Sequence, residues 1–236
     1  MEKIPNQKAG ADMDEQNFYL DTIGQIVPAQ REEVINAFYE FLELEHLYES
    51  AAELVKTQLN IYDNEFSMKF QRNPIHNIKS RIKSPQSIVG KLQKKGHPVS
   101  AKSAEQHLMD IAGVRVICYY VDDIYAIAEL LTRHDEFELV KIKDYIKNPK
   151  ASGYRSFHMV ITVPVYMATT KKRVPVEIQI RTIAMDFWAA LEHQLHYKTR
   201  CEVPLSLKEE LKECAEIISL TDLRMQDIYQ QIHELD

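Results

Sequence analysis

VPVEIQIRTIAMDFWAALEHQLHYK, residues 174–198, reads as a strand that runs directly into a helix. Val176, Ile178 and Ile180 point to one side of the strand, and Glu177, Gln179 and Arg181 to the other. Thr182 stands where a capping side chain is needed, and the helix it opens reaches about Lys198. Three long polar side chains in a row inside a β-rich region need partners, because an unpaired buried charge is costly. A solvent-facing strand side accounts for the pattern alone; the flanking segments favour a site lined by this face.

Working outward, the middle of the chain alternates strands and helices. Val114–Tyr119 reads as a strand and Asp122–Arg133 as a helix opened by an aspartate. Glu138–Tyr145 and Ser156–Pro164 are two further strands, separated by a loop from Asn148 to Arg155. Upstream, Val34, Phe38, Phe41, Tyr48, Ala52, Val55, Leu59 and Tyr62 keep helical spacing with one break at Glu45, predicting a long amphipathic helix over 31–62. Downstream of Pro204, Leu207, Leu211, Cys214, Ile218, Met225, Ile228, Ile232 and Leu235 approach a heptad seam. The expected class is α/β (α+β): a mixed sheet flanked by helices, with long helices at both ends. The expected organisation is a disordered start at 1–16, a helical extension at 17–72, a central domain at 73–200 and a C-terminal helix at 201–236. The last helix serves either as a lid on the sheet or as an oligomer interface.

Charge is segregated along the chain. Between Arg72 and Lys102 stand eight lysines and arginines and no aspartate or glutamate, in a protein of formal charge −6. Such a block repels itself unless something negative sits on it. Ser84-Pro85 opens a helix within it, and Ser87, Lys91, Lys94 and Lys95 share one helical face, with Arg81 and Lys83 at the entrance. A compact polyanion, most simply a nucleotide phosphate chain, suits this arrangement. The overall acidity argues against non-specific duplex binding.

A chain of 236 residues, 45% of them apolar, can bury a full core. No apolar run approaches the ~20 residues of a membrane span, and the polar start is unlike a signal peptide. Cys118, Cys201 and Cys214 are far apart and odd in number, so neither a disulfide frame nor a thiolate zinc site is indicated. A soluble cytoplasmic protein is expected.

Several residues can carry chemistry. Asp110, just before the strand at 114–119, is either an ordinary loop carboxylate or one arm of a magnesium site completed by a carboxylate on another strand. Arg115 points away from Val114 and Val116, to a surface ion pair or to a base or phosphate. The loop KASGYRSFH, 150–158, holds Lys150, a permissive glycine, the aromatic Tyr154, and His158. Trp188 reads as core, and His193 with His196 lacks the carboxylate that zincin spacing requires. No P-loop, GxGxxG or kinase signature occurs.

Five ordered blocks, RIKSPQSIVGKL (81–92), DIAGVRVIC (110–118), KASGYRSFH (150–158), VEIQIRT (176–182) and MDFWAALEH (185–193), resemble the synthetase domain of the RelA/SpoT family. The similarity covers about residues 72–200, and the short chain resembles the stand-alone small alarmone synthetases, nearer the RelP branch than the RelQ branch. The resemblance implies a nucleotidyltransferase-like mixed sheet. It implies transfer of the β,γ-pyrophosphate of ATP to the 3′-hydroxyl of GTP or GDP, giving pppGpp or ppGpp and AMP. On it, Asp110 would bind Mg²⁺, and Glu177 would serve as base, second metal ligand or both. Arg81 and Arg115 would sandwich adenine, while Lys83, Ser87, Lys91 and Lys94 would hold the ATP phosphates. Tyr154 would stack on guanine, Lys150 and His158 would meet the acceptor's phosphates, and Gln179, Asp186 and Glu192 would orient the acceptor. The RelQ branch usually carries Asn where this chain has Asp186, which weakens any transfer of RelQ acceptor preference and of activation by product. A homotetramer, synthesis without self-contained breakdown, and no ribosome sensing are further expectations. Two rivals stand beside this reading. One is the same fold with another acceptor, an adenine nucleotide or the tRNA 3′ end; the other is a catalytically silent nucleotide sensor.

Overall fold

The computed structural model describes residues 28–198 and 203–234. The expected disorder of 1–16 lies outside these residues. Helix α1 (Pro28–Phe70) continues past Tyr62, where the sequence pattern ends. Then come β1 (Ile75–Ile82), α2 (Pro85–Lys94), α3 (Ala101–His107), β2 (Ala112–Cys118) and α4 (Val121–Arg133). The chain goes on through β3 (Glu138–Asp144), β4 (Phe157–Tyr166), β5 (Lys171–Thr182), α5 (Ile183–Lys198) and α6 (Leu205–His233).

The five strands form one mixed sheet in the order β1-β2-β5-β4-β3. β2 and β5 run parallel, and every other neighbouring pair is antiparallel. The parallel pair obliges a crossover, and α4 with the β3–β4 hairpin supplies it. Alternation along the strands then sorts the two faces. Val114, Val116, Met159, Ile161, Val176, Ile178 and Ile180 are buried in one apolar cluster with Tyr48, Val55 and Leu59 of α1 and Ile124, Ile127 and Leu131 of α4. Polar alternate positions are left on the other face. The break at Glu45 does no harm, because Leu44 and Leu47 carry the buried stripe of α1 past it.

Strand β1 is absent from the sequence reading, which took 73–83 as the approach to the basic helix. Its burial explains why: on this edge strand only Ile75 is fully buried, with Ile78 and Ile82 half-buried. A one-sided edge strand rich in polar residues has no clean period of two.

The caps are more specific than the spacing suggested. Ser84 accepts from Ser87 N at the start of α2, and Thr182 Oγ1 accepts from Met185 N at the start of α5, both as expected. At α4 the N-cap is Tyr120, and the aspartate that closes the first turn is Asp123 at the third helical position, whose Oδ2 accepts from Tyr120 N. Asp123 also takes both Nη atoms of Arg72, at 3.0 and 2.5 Å. One of the eight bases in the positive block is therefore a structural clamp.

Helix α6 packs along a different stripe from the predicted seam. Leu211 and Ile218 are shared with it, but the buried positions are Ala215 and Asp222, while Leu207, Met225, Ile228 and Ile232 are exposed. Polar contacts place the helix. Trp188 Nε1 donates to Leu211 O, Arg155 Nη1 to Ala215 O, and Thr182 Oγ1 to Asp222 Oδ2. Near its other end Gln226 accepts from Asp122 N, and Tyr229 stacks on Tyr120 with centroids 4.5 Å apart. Burial pushes the Asp222 carboxyl above its usual range, and the Thr182 hydroxyl only partly offsets it. No helix among the described residues is long and apolar enough to cross a membrane.

Candidate active site

The pairing register builds two polar rows across the open face of the sheet. Lys79 of β1 stands beside Arg115 of β2, which stands beside Gln179 of β5. In the next row Arg81, Gly113 and Glu177 are neighbours. Together they floor a cavity of about 430 Å³ whose lining also includes Lys83 and Asp110. Six of the residues singled out from the sequence (Arg81, Lys83, Asp110, Arg115, Glu177 and Gln179) therefore meet in one place.

Gly113 is what keeps the floor open. A Cβ on it would meet nothing nearer than Arg81 O at 3.7 Å and Glu177 O at 4.0 Å. The strand could carry a side chain here; it would project between Arg81 and Glu177 and close the gap.

Asp110 precedes β2 and is delivered to two lysines. The Lys83 N–H bonds to Ile111 O at 2.8 Å, which ties the chain leaving β1 to the start of β2. Lys83 Nζ then reaches Asp110 Oδ2 at 2.5 Å, and Lys91 of α2 bonds the same oxygen. Burial raises the proton affinity of Asp110, but the two ammonium groups outweigh it and hold the carboxyl below its usual range. Asp110 Oδ1 is different: it is buried and has no hydrogen-bond partner. A carboxylate oxygen left without a partner, on a residue that lines the cavity, is the donor type that a hard cation prefers. Among the described residues no three His, Cys, Asp or Glu side chains converge as a ready-made cage. A Mg²⁺ held here would need phosphate oxygens and water to complete its shell.

On the far side of Glu177 lies a ring of polar side chains. Gln179 Nε2 donates to Glu177 Oε2 at 3.2 Å, and Arg181 Nη2 donates to Gln179 Oε1 at 3.0 Å. Arg181 Nη2 also donates to the Tyr154 hydroxyl at 2.5 Å, and that hydroxyl meets His158 Nε2 at 2.9 Å. His158 Nδ1 closes the ring by facing Glu177 Oε1 across 3.8 Å, longer than a hydrogen bond. The nearby imidazole and the Gln179 amide keep the Glu177 carboxyl below its usual range, against burial and the repulsion of Asp110. Tyr154 is presented by a tight loop: Gly153 takes φ +89°, and Gly153 N bonds Lys150 O at 2.8 Å. A side chain at Gly153 would collide with Ala215 of α6, 2.7 Å away, so the last helix presses directly on this loop. Lys150 Nζ lies over the rings of Tyr145 and Tyr154, at 4.9 and 4.6 Å.

Asp186 joins the two sides, accepting from Arg115 Nη1 at 3.5 Å and from Arg181 Nη1 at 3.2 Å. Other predicted residues sit apart. Ser87 bonds Ser84 Oγ at the first turn of α2, and Lys94 is exposed one turn beyond Lys91. Glu192 lines a separate cavity of about 340 Å³ with Ser152, Leu205, Lys208 and Lys212. The sequence reading missed Lys79, because β1 was missed, and Lys143, which pairs opposite His158 on the same face. It also left Arg181 out of the site, although the period-two face and the cost of a buried charge both pointed to it.

The fold and cavity define a mixed α/β protein whose open sheet face is built to hold a polyanion between cationic and acidic walls. Residues 80–202 match the family described as the region found in RelA/SpoT proteins. The chain is 45% identical to GTP pyrophosphokinase YwaC of Bacillus subtilis (strain 168) over 186 residues, 79% of this chain and 89% of that protein. The crystal structure of small alarmone synthetase 2 from Bacillus subtilis superposes with a TM-score of 0.72 at 44% identity, covering 79% of this chain and 97% of that one. Small alarmone synthetase 1 from the same organism, bound to its product pppGpp, gives a TM-score of 0.71 at 36% identity, covering 79% and 94%. The chain belongs to the RelA/SpoT family.

Proposed function

We propose that the protein is a GTP pyrophosphokinase, moving the β,γ-pyrophosphate of ATP to the 3′-hydroxyl of GTP or GDP and releasing AMP. The observation that carries this is the placement of the two acids. Asp110 sits among lysines on the donor side, and Glu177 sits between that cavity and the Tyr154–His158 ring. Such a transfer asks mostly for positioning and charge neutralisation. The gap over Gly113, flanked by Arg81 and Arg115, suits a purine ring. Lys83 and Lys91, now on Asp110, are within reach of a phosphate chain. Ser87 and Lys94 extend the same basic helix.

Asp110 and Glu177 are the residues that would hold Mg²⁺, whose charge would be shared with the pyrophosphate in flight. Because Asp110 Oδ2 is already taken by two ammonium groups, an incoming triphosphate offers those lysines new partners while freeing the carboxylate. On the acceptor side Tyr154 offers a ring for guanine, with Lys150 and His158 for its phosphates. Gln179 and Asp186 fix the geometry between the two sites, and Glu192 marks the outer edge of the acceptor loop. The exposed apolar rows of α1, α5 and α6 support assembly into a homotetramer. A monomer by light scattering at micromolar concentration would contradict it. Expected locale is the cytoplasm.

The deciding assay is incubation with γ-³²P-ATP, Mg²⁺ and GDP or GTP. Labelled ppGpp or pppGpp supports the reading. Label on AMP or tRNA instead would move the acceptor assignment, and no transfer at all would favour a silent sensor. Gly113→Leu gives a second check. The variant is expected to melt close to the parent while losing ATP affinity roughly tenfold or more, about 1.4 kcal/mol. Parental ATP affinity in that variant would remove the purine from this gap.

A further inference from the structure

We propose that Arg181 is the positioning residue of the transfer, a buried cation from which two arms run toward the two carboxylate oxygens of Glu177, one hydrogen-bonded throughout by way of Gln179 and one by way of Tyr154 and His158 that stops 3.8 Å from the carboxylate. The inference rests on the function proposed above and assigns a residue to it that the motif reading left aside.

Arg181 is 4% exposed. A guanidinium this deep would destabilise the fold unless its donors were used. They are used on four partners: Ser156 Oγ at 3.3 Å, Asp186 Oδ1 at 3.2 Å, Gln179 Oε1 at 3.0 Å and the Tyr154 oxygen at 2.5 Å. The direction of each bond follows. Gln179 accepts at Oε1 and therefore presents its amide N–H to Glu177 Oε2. The Tyr154 oxygen accepts from Arg181, and the assignment that uses every group gives the phenol proton to His158 Nε2. The imidazole proton then lies on Nδ1, which faces Glu177 Oε1 across 3.8 Å. Both arms thus start at one cation and point at opposite oxygens of one carboxylate, the Gln179 arm in hydrogen-bond contact and the His158 arm 3.8 Å away.

A purely structural staple would need only a charge partner, and Asp186 supplies one. The two arms do more: they fix the plane of the Tyr154 phenol and the rotamer of Glu177 by a single rigid fork. Lysine cannot replace that fork, since its point charge lacks the planar geometry. Misplacement of a reacting group by about 1 Å can cost ~10²-fold in rate.

The test compares the parent with Arg181→Lys and Arg181→Ala in the full chain. Calorimetry with an α,β-methylene ATP analogue reads the donor cavity. The labelled assay reads kcat and the acceptor KM, and ¹⁵N resonances of His158 read the ring itself. Expected for both variants are analogue affinity within about threefold of the parent and a kcat lower by ~10²-fold. His158 should move toward the averaged tautomers of a free imidazole. Methylguanidinium should restore part of the activity of Arg181→Ala and none of that of Arg181→Lys. A parental kcat in Arg181→Lys, or a defect confined to acceptor KM, overturns the proposal. If Arg181→Ala does not melt cooperatively, Arg181→Lys decides alone, because it keeps the charge that a staple needs. A parent that makes no guanine product would sink the proposed function; the His158 resonances would still report on whether Arg181 holds the ring.

Discussion

Replacing Asp110 by Asn is expected to abolish most of the pyrophosphate transfer, by ~10²–10³-fold or more, as for removal of one preorganised charge-stabilising group. It should not abolish binding of the nucleotide. The carboxylate now holds Lys83 and Lys91 on one oxygen and leaves the other buried and unpartnered. In the variant both lysines lose that internal partner and become available to phosphate. ATP in the presence of a chelator should therefore bind the Asn variant at least as well as the parent, while turnover with Mg²⁺ collapses. Calorimetry in chelator together with the labelled assay measures the split. Side chains of both lysines are partly exposed, so water takes up much of the lost ion pairing and the fold should persist. Unchanged turnover in this variant would remove Asp110 from the chemistry.

For Glu177→Gln the expected loss is ~10²–10⁴-fold in kcat if the carboxylate takes the acceptor proton. A glutamine matches the shape of glutamate but carries only one acceptor oxygen. That oxygen can still accept from the Gln179 amide, but the negative charge that faces His158 Nδ1 across 3.8 Å is lost. Glu177→Asp keeps the charge and should retain more activity than Glu177→Gln. The pH dependence has a definite sign. The Glu177 carboxyl is held below its usual range by His158 and Gln179, with burial opposing. Its charged form therefore stabilises the fold fully above the ordinary carboxylate value, roughly 4.3, and that contribution is lost as pH falls through the lower folded value. Asp110 is shifted the same way. Activity should accordingly show no acid limb from either group at or above pH about 5. A limb centred between pH 6 and 7 that disappears in Glu177→Gln would show that the ring does not hold the carboxylate ionised.

Much of the architecture was legible without coordinates, and for one reason. Strand β5, helix α5, the Ser84-Pro85 start of α2 and the Thr182 cap all depend on residues within one or two turns of each other. Periodicity reports such local geometry directly. It failed at β1, where an edge position removes the alternation, and on α6. There the buried stripe runs through Asp222, which no hydrophobic pattern can nominate. The helix is placed by hydrogen bonds to Thr182, Trp188 and Arg155, and those partners are distant in the chain.

The site divides in the same way. From the sequence alone came the face on which Glu177, Gln179 and Arg181 lie, the cationic face of α2, and, through five motif blocks, the family and its candidate residues. Only the tertiary structure decided that Arg81 and Glu177 stand on either side of Gly113, and that Asp110 meets Lys83 and Lys91. It alone showed that Arg81 lines the cavity while Arg72 clamps Asp123, and that Arg181 lies buried against Tyr154, Gln179 and Asp186. The physical reason is strand register. Which side of a strand a residue faces is set by its neighbours in sequence, but which residue it meets across the sheet is set by pairing between segments far apart in the chain. That pairing is fixed only when the whole core packs.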